Sequence, residues 1–336
     1  MFRFWLLASG YPTLRIQDAK NTFYNLPVAM PVSVKKLHTF TGHRDSVYTL
    51  QPSGTDSVFF SASGDGMVVK WNLDTPDEGE LIAQLPNSVY ALHFHGPSGL
   101  LVAGQNYAGI HVLDWKNKKE IGSLKLNGAA IFDVQSTENR LFASTGDGTL
   151  FVIDLNTLRV TDRIKFSDKN VRTMAVNEKA NELAVGYSDH HIRILNLDTL
   201  TLKYDIPAHG NSVFTVRYMP GQHYLLSGSR DARLKAWDIK NGYSLAGEVV
   251  AHLYAINHLD FSPDLKHFVT CSLDKSIKVW EAAGMRLLKV IDKGRHAGHG
   301  TSVNRVLWTN HNNRLLSASD DRTISVWDIA IDEDAR

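Results

Sequence analysis

The stretch from Ser317 to Asp328 reads SASDDRTISVWD. It describes a strand, a tight turn at Asp321 and a second strand ending in Trp327-Asp328, with His299 standing upstream. The skeleton recurs along the chain. SASGDGMVVKWN runs from Ser61 with Asp65 and Trp71, SGSRDARLKAWD from Ser227 with Asp231 and Trp237, and TCSLDKSIKVWE from Thr270 with Asp274 and Trp280. STGDGTLFVIDL, from Ser144, keeps Asp147 but puts Ile153 in the Trp place, and GYSDHHIRILNL, from Gly186, keeps Asp189 with Leu195. A weaker copy, AGQNYAGIHVLD from Ala103, has Tyr107 and Leu113 at the two positions. The turn positions are thus 65, 107, 147, 189, 231, 274 and 321, about 40 to 47 residues apart. That interval is the length of a repeat that folds as one four-stranded unit.

A dipeptide upstream strengthens the pattern. Gly42-His43 precedes Trp71, Ala208-His209 precedes Trp237, Ala251-His252 precedes Trp280 and Gly298-His299 precedes Trp327. Gly-His near the start of a repeat and Trp-Asp at its end form the signature of the WD-repeat β-propeller family, which the chain resembles over roughly residues 31 to 330. The resemblance implies an all-β fold: a seven-bladed propeller, each blade a four-stranded antiparallel sheet.

Length alone, at 336 residues, suggests about two domains. The repeat overrides that estimate, because no single repeat buries its apolar face without neighbours. A net charge of +1 with 21% charged residues gives no global pull toward nucleic acid or a membrane surface. The lone cysteine, Cys271, forms no intrachain disulfide and reads as a small buried side chain in an apolar strand. No apolar run approaches the ~20 residues that span a bilayer. Phe2 to Ala8 (FRFWLLA) is a short apolar run with one basic residue and makes a poor signal peptide. Residues 1–30 match no repeat and read as a poorly ordered extension, with Met30 as an alternative natural start. The expected location is the cytoplasm.

The two ends of the repeat region complement each other. Val32 to Phe40 (VSVKKLHTF) reads as a strand lying before the first Gly-His. Other repeats carry a strand-like run after the Trp position, such as Glu80 to Leu85, Glu120 to Leu126 and Arg159 to Phe166. The last repeat lacks one and gives way to an acidic tail, residues 331–336, with Asp332, Glu333 and Asp334. Residues 32–40 are therefore expected to complete the last blade, which closes the ring and removes its open edge. Turn signals such as Gly64-Asp65-Gly66, Pro220-Gly221 and Asn312-Asn313 separate the strands.

Four quartets recur: His43, Ser61, Asp65, Trp71; His209, Ser227, Asp231, Trp237; His252, Thr270, Asp274, Trp280; and His299, Ser317, Asp321, Trp327. The resemblance implies that each is a buried chain of hydrogen bonds from indole to hydroxyl to imidazole to carboxylate. Ser, His and Asp also build hydrolytic triads. Four copies, each with a Trp at a fixed place and none on a nucleophile-elbow motif, favour the structural reading. Repeats two to four have Asn87-Ser88, Asn127-Gly128 and Lys169-Asn170 in place of Gly-His, and are expected to rely on apolar packing alone.

Function then belongs to the faces of the ring. Family geometry places one inner-strand residue per blade, and the residue before each turn Asp, around the channel. The inner-strand set is Tyr48, Tyr90, Phe132, Arg172, Phe214, Asn257 and Asn304; the pre-Asp set is Gly64, Gly146, Ser188, Arg230, Leu273 and Asp320. Aromatics flanked by Arg and Asn resemble the anchors of a partner-binding patch, although the rings could also simply pack on one another. Tyr48, Tyr90 and Phe132 are expected to form one apolar patch with Arg172 beside it. His190-His191 points two side chains apart in a tight turn with no Cys nearby and makes a poor zinc site. His296, in an inserted loop, reads as exposed. No phosphate loop, CxxC pair or His-Glu-x-x-His helix is present. The expectation is a non-catalytic scaffold without cofactor or metal. It would bind protein or peptide partners, not nucleic acid or membrane, as a monomeric ring within a larger complex. The alternative is a small-ligand-binding or enzymatic propeller that uses the channel mouth.

Overall fold

The computed structural model describes residues 32–332, apart from residues 77 and 222. The expected extension at 1–30 and most of the acidic tail lie outside the described residues.

The described residues form seven four-stranded antiparallel sheets. Six are built from four consecutive strands, and blade 1 is typical: Val47–Pro52, Val58–Ser63, Met67–Asn72 and Gly79–Gln84. The seventh takes Val303–Trp308, Leu315–Ser319 and Ile324–Ile331 from one end of the chain and adds Val32–Phe40 from the other. Pairing runs from Val32↔Ile331 to Phe40↔Ile324, with a register shift between Lys36 and His38. The closing strand also reaches the next blade. The Phe40 ring sits 5.4 Å from Phe59 and 5.0 Å from Trp71, both of blade 1. One strand thus joins blade 7 by ladder hydrogen bonds and blade 1 by aromatic packing.

The core is a set of seams rather than one centre. Seven apolar clusters each draw on two adjacent blades. Inner strands are buried on both faces, so they read as apolar runs. Outer strands are largely exposed: Arg159–Lys165 (RVTDRIK) presents Arg159, Asp162, Arg163 and Lys165 to solvent. Charge along such an edge resists pairing with another chain. Departures from all-β are slight, namely one helical turn at Lys293–His296 and two 3-10 turns. That helical turn occupies the inserted loop, and it leaves His296 half-buried rather than exposed as the sequence suggested.

The four quartets form the hydrogen-bond chains. In blade 1 the Trp71 indole donates to Ser61 Oγ at 2.8 Å, His43 Nε2 lies 2.7 Å from the same oxygen, and Nδ1 lies 3.2 Å from Asp65. A carboxylate only accepts, so Nδ1 carries the proton, Nε2 accepts from the hydroxyl, and the hydroxyl oxygen accepts from the indole. Asp65 also takes the amides of Arg44 at 2.7 Å and Met67 at 2.8 Å. The same linkage joins Trp237, Ser227, His209 and Asp231, then Trp280, Thr270, His252 and Asp274, then Trp327, Ser317, His299 and Asp321. With each group partnered, burial carries no desolvation penalty for an orphaned polar atom. The turn beside this chain needs glycine at 66, where φ is 77° and a Cβ would stand 2.1 Å from the Leu85 carbonyl oxygen.

Blades 2 to 4 do not rely on apolar packing alone, which corrects the sequence reading. In blade 4 Arg193 pairs with Asp189 at 2.9 Å and with Asp205 at 3.6 Å, and its guanidinium lies 4.5 Å from the Tyr187 ring. His191 joins Asp205 at 2.7 Å. In blade 3 Asn127 replaces the imidazole and donates to Asp147 at 2.5 Å. In blade 2 His111 meets Gln105 at 2.7 Å, and Trp115 packs 5.3 Å from Phe60 of blade 1. The substitutes bring in Arg, Asn and Gln and place His and Trp at other positions, so they do not show in a search for the quartet at its fixed spacing.

Two outcomes follow from closure and strut. A chain lacking residues 31–41 exposes the Ile324–Ile331 edge and loses the Phe40 contacts, so it should aggregate or lose its cooperative melt; calorimetry of that deletion checks this. Trp237→Ala should destabilise by about 3–5 kcal/mol, the cost of truncating a buried aromatic, measured by denaturant titration against wild type.

Candidate functional site

All seven inner strands share one irregularity. In blade 1 Val47 pairs with Ser63 and Thr49 with Ala62, so Tyr48 has no cross-strand partner. The same skip leaves out Tyr90, Phe132, Arg172, Phe214, Asn257 and Asn304 in blades 2 to 7. A residue left out of the ladder is a β-bulge, and a bulge re-aims its side chain. Here the repeated bulge turns seven half-buried side chains into the mouth of the central channel, around a cavity of about 290 Å³. The whole inner-strand set named from the sequence converges there.

The ring of seven is divided. Tyr48 and Tyr90 meet edge-on with centroids 4.5 Å apart, and Tyr90 stacks on Phe132 at 6.0 Å and 8°. The Arg172 guanidinium lies 4.2 Å from the Phe132 ring and 5.1 Å from Phe214. Five consecutive blades therefore present a continuous aromatic and cationic arc, with stacking worth ~0.5–1.5 kcal/mol per aromatic pair beyond burial. Blades 6 and 7 supply amides instead. Asn257 donates to the Val303 carbonyl at 2.8 Å, and Asn304 donates to Val47 O at 3.1 Å and to Asp320 at 2.7 Å. These asparagines stitch neighbouring blades and hold Asp320. Arg230 stands exposed on the blade 5 turn. Burial first, and then the charge of Arg230, lower the Arg172 pKa from its ordinary value. Burial, then the Tyr90 phenol, raise that of Tyr48.

Asp133, Thr173 and Arg305 also line the cavity and were missed in the sequence. The signal was there: a charged residue inside a strand packed on both faces has only the channel to turn to. Asp133 accepts the Met174 amide at 2.7 Å, and deeper in the ring Asp260 accepts the Trp308 amide at 2.8 Å. Burial raises the pKa of both aspartates, against the opposing pull of Arg305 and Arg217. Burial, with Arg217 next to it, pulls Arg305 down to about 10. Arg217 lies 3.2 Å from His258 Nε2, and His93 of blade 2 lies 2.7 Å from Ser136 Oγ of blade 3. The channel wall is thus a belt of polar links between blades.

A sequence profile described as "WD domain, G-beta repeat" matches residues 34–72, 200–238, 244–281 and 292–328. The first three segments each join the outer strand of one blade to the first three strands of the next, and together the four segments contain the full quartets of blades 1, 5, 6 and 7.

The chain belongs to the WD-repeat β-propeller family.

This WD-repeat propeller is 24% identical over 303 residues to the "66 kDa stress protein" of Physarum polycephalum, covering 87% of this chain and 47% of that protein. It is 21% identical over 303 residues to "Actin-interacting protein 1" of Caenorhabditis elegans, covering 86% and 47%. It is 22% identical over 303 residues to the "Nuclear distribution protein nudF" of Aspergillus niger, covering 87% and 61%. The chain therefore spans about half to three fifths of the length of these relatives. Among solved structures, the WD40 β-propeller domain of Doa1 superposes with a TM-score of 0.77 at 17% identity, covering 88% of this chain and 97% of that one. That likeness is one of fold.

Ser61, Ser227, Thr270 and Ser317 are fully buried, each hydroxyl held between an indole and an imidazole, so none of them is open to a substrate. Among the described residues, no helix is long and apolar enough to cross a membrane, and no three His, Cys, Asp or Glu side chains group as a metal site.

The channel belt has a pH signature. Burial first, then His95 and Arg217, lower the His93 pKa from 6.5 to about 4. An imidazole depressed in the folded state contributes stability that is full above 6.5 and is lost as pH falls toward 4, because the unfolded chain binds the proton more readily. The stability gap between wild type and His93→Gln should therefore narrow by about 1 kcal/mol for each pH unit below 6.5, measured by urea titrations at pH 7.5 and 5.5.

Proposed function

We propose that this propeller is a non-catalytic scaffold that docks a segment of a partner protein on the channel mouth, as a subunit of a larger complex. The observation that carries the reading is the aromatic arc from Tyr48 to Phe214, built on bulged residues that no ladder bond requires. Aromatic and Arg side chains are the usual anchors of protein interfaces. Arg230 on blade 5 and Asp320 on blade 7 stand near the two ends of the arc and would set the register of a bound segment. One curated relative is named as actin-interacting, which fits a protein that acts through a partner. A cytoplasmic location belongs to the same proposal. Arg172 and Arg230 alone make a short basic feature, far from the stripe that nucleic-acid binding uses.

The test is an affinity capture with wild type beside the Tyr90→Ala/Phe132→Ala double variant, with melting curves recorded for both. The variant should keep its fold, since both residues lie at bulges, and should lose its partner by at least about tenfold, which is about 1.4 kcal/mol. Wild-type capture by a folded variant would remove the claim.

A further inference from the structure

We infer that the segment docked at the mouth carries an anionic side chain, a carboxylate or a phosphate, next to a bulky apolar one. Arg172 and Arg230 would receive the anion, and Leu253, Tyr254 and Leu273 would receive the apolar group. The inference rests on the docking reading above and adds the chemistry of what docks.

The first observation is an unneutralised pair of cations. Arg172 makes one hydrogen bond among the described residues, from Nε to Ser188 Oγ at 3.2 Å. Its ring contacts with Phe132 and Phe214 hold the guanidinium flat, and its terminal N–H donors meet no protein acceptor. A guanidinium presents five N–H donors in a fixed fork, the geometry that matches carboxylate and phosphate. Arg230 is exposed on the adjoining blade, and among the described residues neither guanidinium has a carboxylate partner. Arg193 and Arg286, by contrast, each have one, in Asp189 and Glu281. Two like charges side by side repel each other, and an anion seated between them removes that cost.

The second observation is independent of charge. Leu253, Tyr254 and Leu273 are 83%, 60% and 50% exposed, among the most exposed large apolar side chains described. They stand on two hydrogen-bonded segments next to the Arg230 turn. The loop 251–255 hydrogen-bonds to the Arg230-Asp231-Ala232 turn through the amides of Ala251 and His252, which both donate to Ala232 O. On its other side Leu273 N donates to Ala255 O, and Ser272 Oγ donates to Tyr254 O. Leu253 N donates to Asp274, the carboxylate of the blade 6 strut. The strut thus fixes the loop that holds Leu253 and Tyr254 out in solvent. Such exposure on a rigid loop wastes apolar surface unless something covers it. Arg230, between the arc and these side chains, makes the two features one surface. The charge complement of that surface is an acidic or phosphorylated residue flanked by Leu, Ile, Phe or Tyr.

The experiment uses the full chain and three fluorescent degenerate peptide pools, fixed at the centre as Glu-Leu, phosphoserine-Leu or Gln-Leu. Fluorescence polarisation is read for wild type, Arg230→Gln, Arg172→Gln/Arg230→Gln, Leu253→Ser/Leu273→Ser and Tyr90→Ala/Phe132→Ala. Wild type should bind the Glu or the phosphoserine pool at least about tenfold more tightly than the Gln pool, and the better of the two tells carboxylate from phosphate. Both Arg variants should lose that preference while still binding the Gln pool. Arg230→Gln alters an exposed side chain and cannot be dismissed as unfolded. The Leu253→Ser/Leu273→Ser variant should weaken all three pools alike. Equal wild-type affinity for all pools, or a preference that survives Arg172→Gln/Arg230→Gln, overturns this inference and leaves the docking reading standing. Retained binding by Tyr90→Ala/Phe132→Ala, with the anion preference intact, sinks the docking role of the arc and spares the Arg pair. Failure of every pool to bind wild type overturns both.

Discussion

A ring of sheets is stable only if its last seam is as good as the others, because seven blades with one open edge present a ready template for another chain. Here that seam is made by the pairing of Val32–Phe40 with Ile324–Ile331. The strand does two jobs along its length. Its backbone supplies the outer ladder of blade 7, and its final side chain, Phe40, enters the cluster between blades 7 and 1. Closure is therefore not a hydrogen-bonded latch alone. It places an aromatic ring where it touches Phe59 and Trp71, so the edge and the seam form together or not at all. The blades between these ends are local units of four consecutive strands, and this one pairing links residues nearly three hundred positions apart.

Within the closed ring the seams are secured unevenly. Blades 1, 5, 6 and 7 hold their turns with a buried indole, hydroxyl, imidazole and carboxylate. Blades 2 to 4 use an asparagine, a histidine–glutamine pair and an arginine held between two aspartates. The seam between blades 4 and 5 is further tied by Tyr243, which donates to Glu182 while Lys203 pairs with the same carboxylate and Tyr218 lies 3.1 Å from the Tyr243 hydroxyl. At the channel, Asp133, Asp260 and the two asparagines carry hydrogen bonds from one blade to the next. Polar links thus sit at both ends of the radial direction, with apolar packing between them.

Much of this was legible in the sequence, for physical reasons that name their own limits. Turn chemistry and the Trp positions repeat at a fixed interval, so blade number and strand order followed from spacing. The missing outer strand after Trp327 pointed to residues 32–40. The seven mouth residues could be named because the resemblance to the WD-repeat family assigns the channel to one residue of each inner strand, and here each stands one place after the residue that opens its strand. The substitutes in blades 2 to 4 were not legible. Arg193 meets Asp205 across a strand pair and Tyr187 across a turn, contacts that no local pattern encodes. Asp133 and Arg305 were overlooked because the inner strands were read for apolar content, and the charged residue in each was passed over. Leu273 was noted as a turn residue, but its kinship with Leu253 and Tyr254 depends on hydrogen bonds between two loops.

The repeated bulge has one more consequence. A side chain at that place belongs to no ladder rung, so it can change without breaking a strand pair, while Asn257 and Asn304 have taken on the added task of tying blades together. Tyr, Phe, Arg and Asn all occupy it in a single chain. Selection can therefore alter the five letters of the aromatic and cationic arc one at a time and obtain a new specificity on an unchanged wheel, and a designer wishing to graft a recognition surface would begin with the same five.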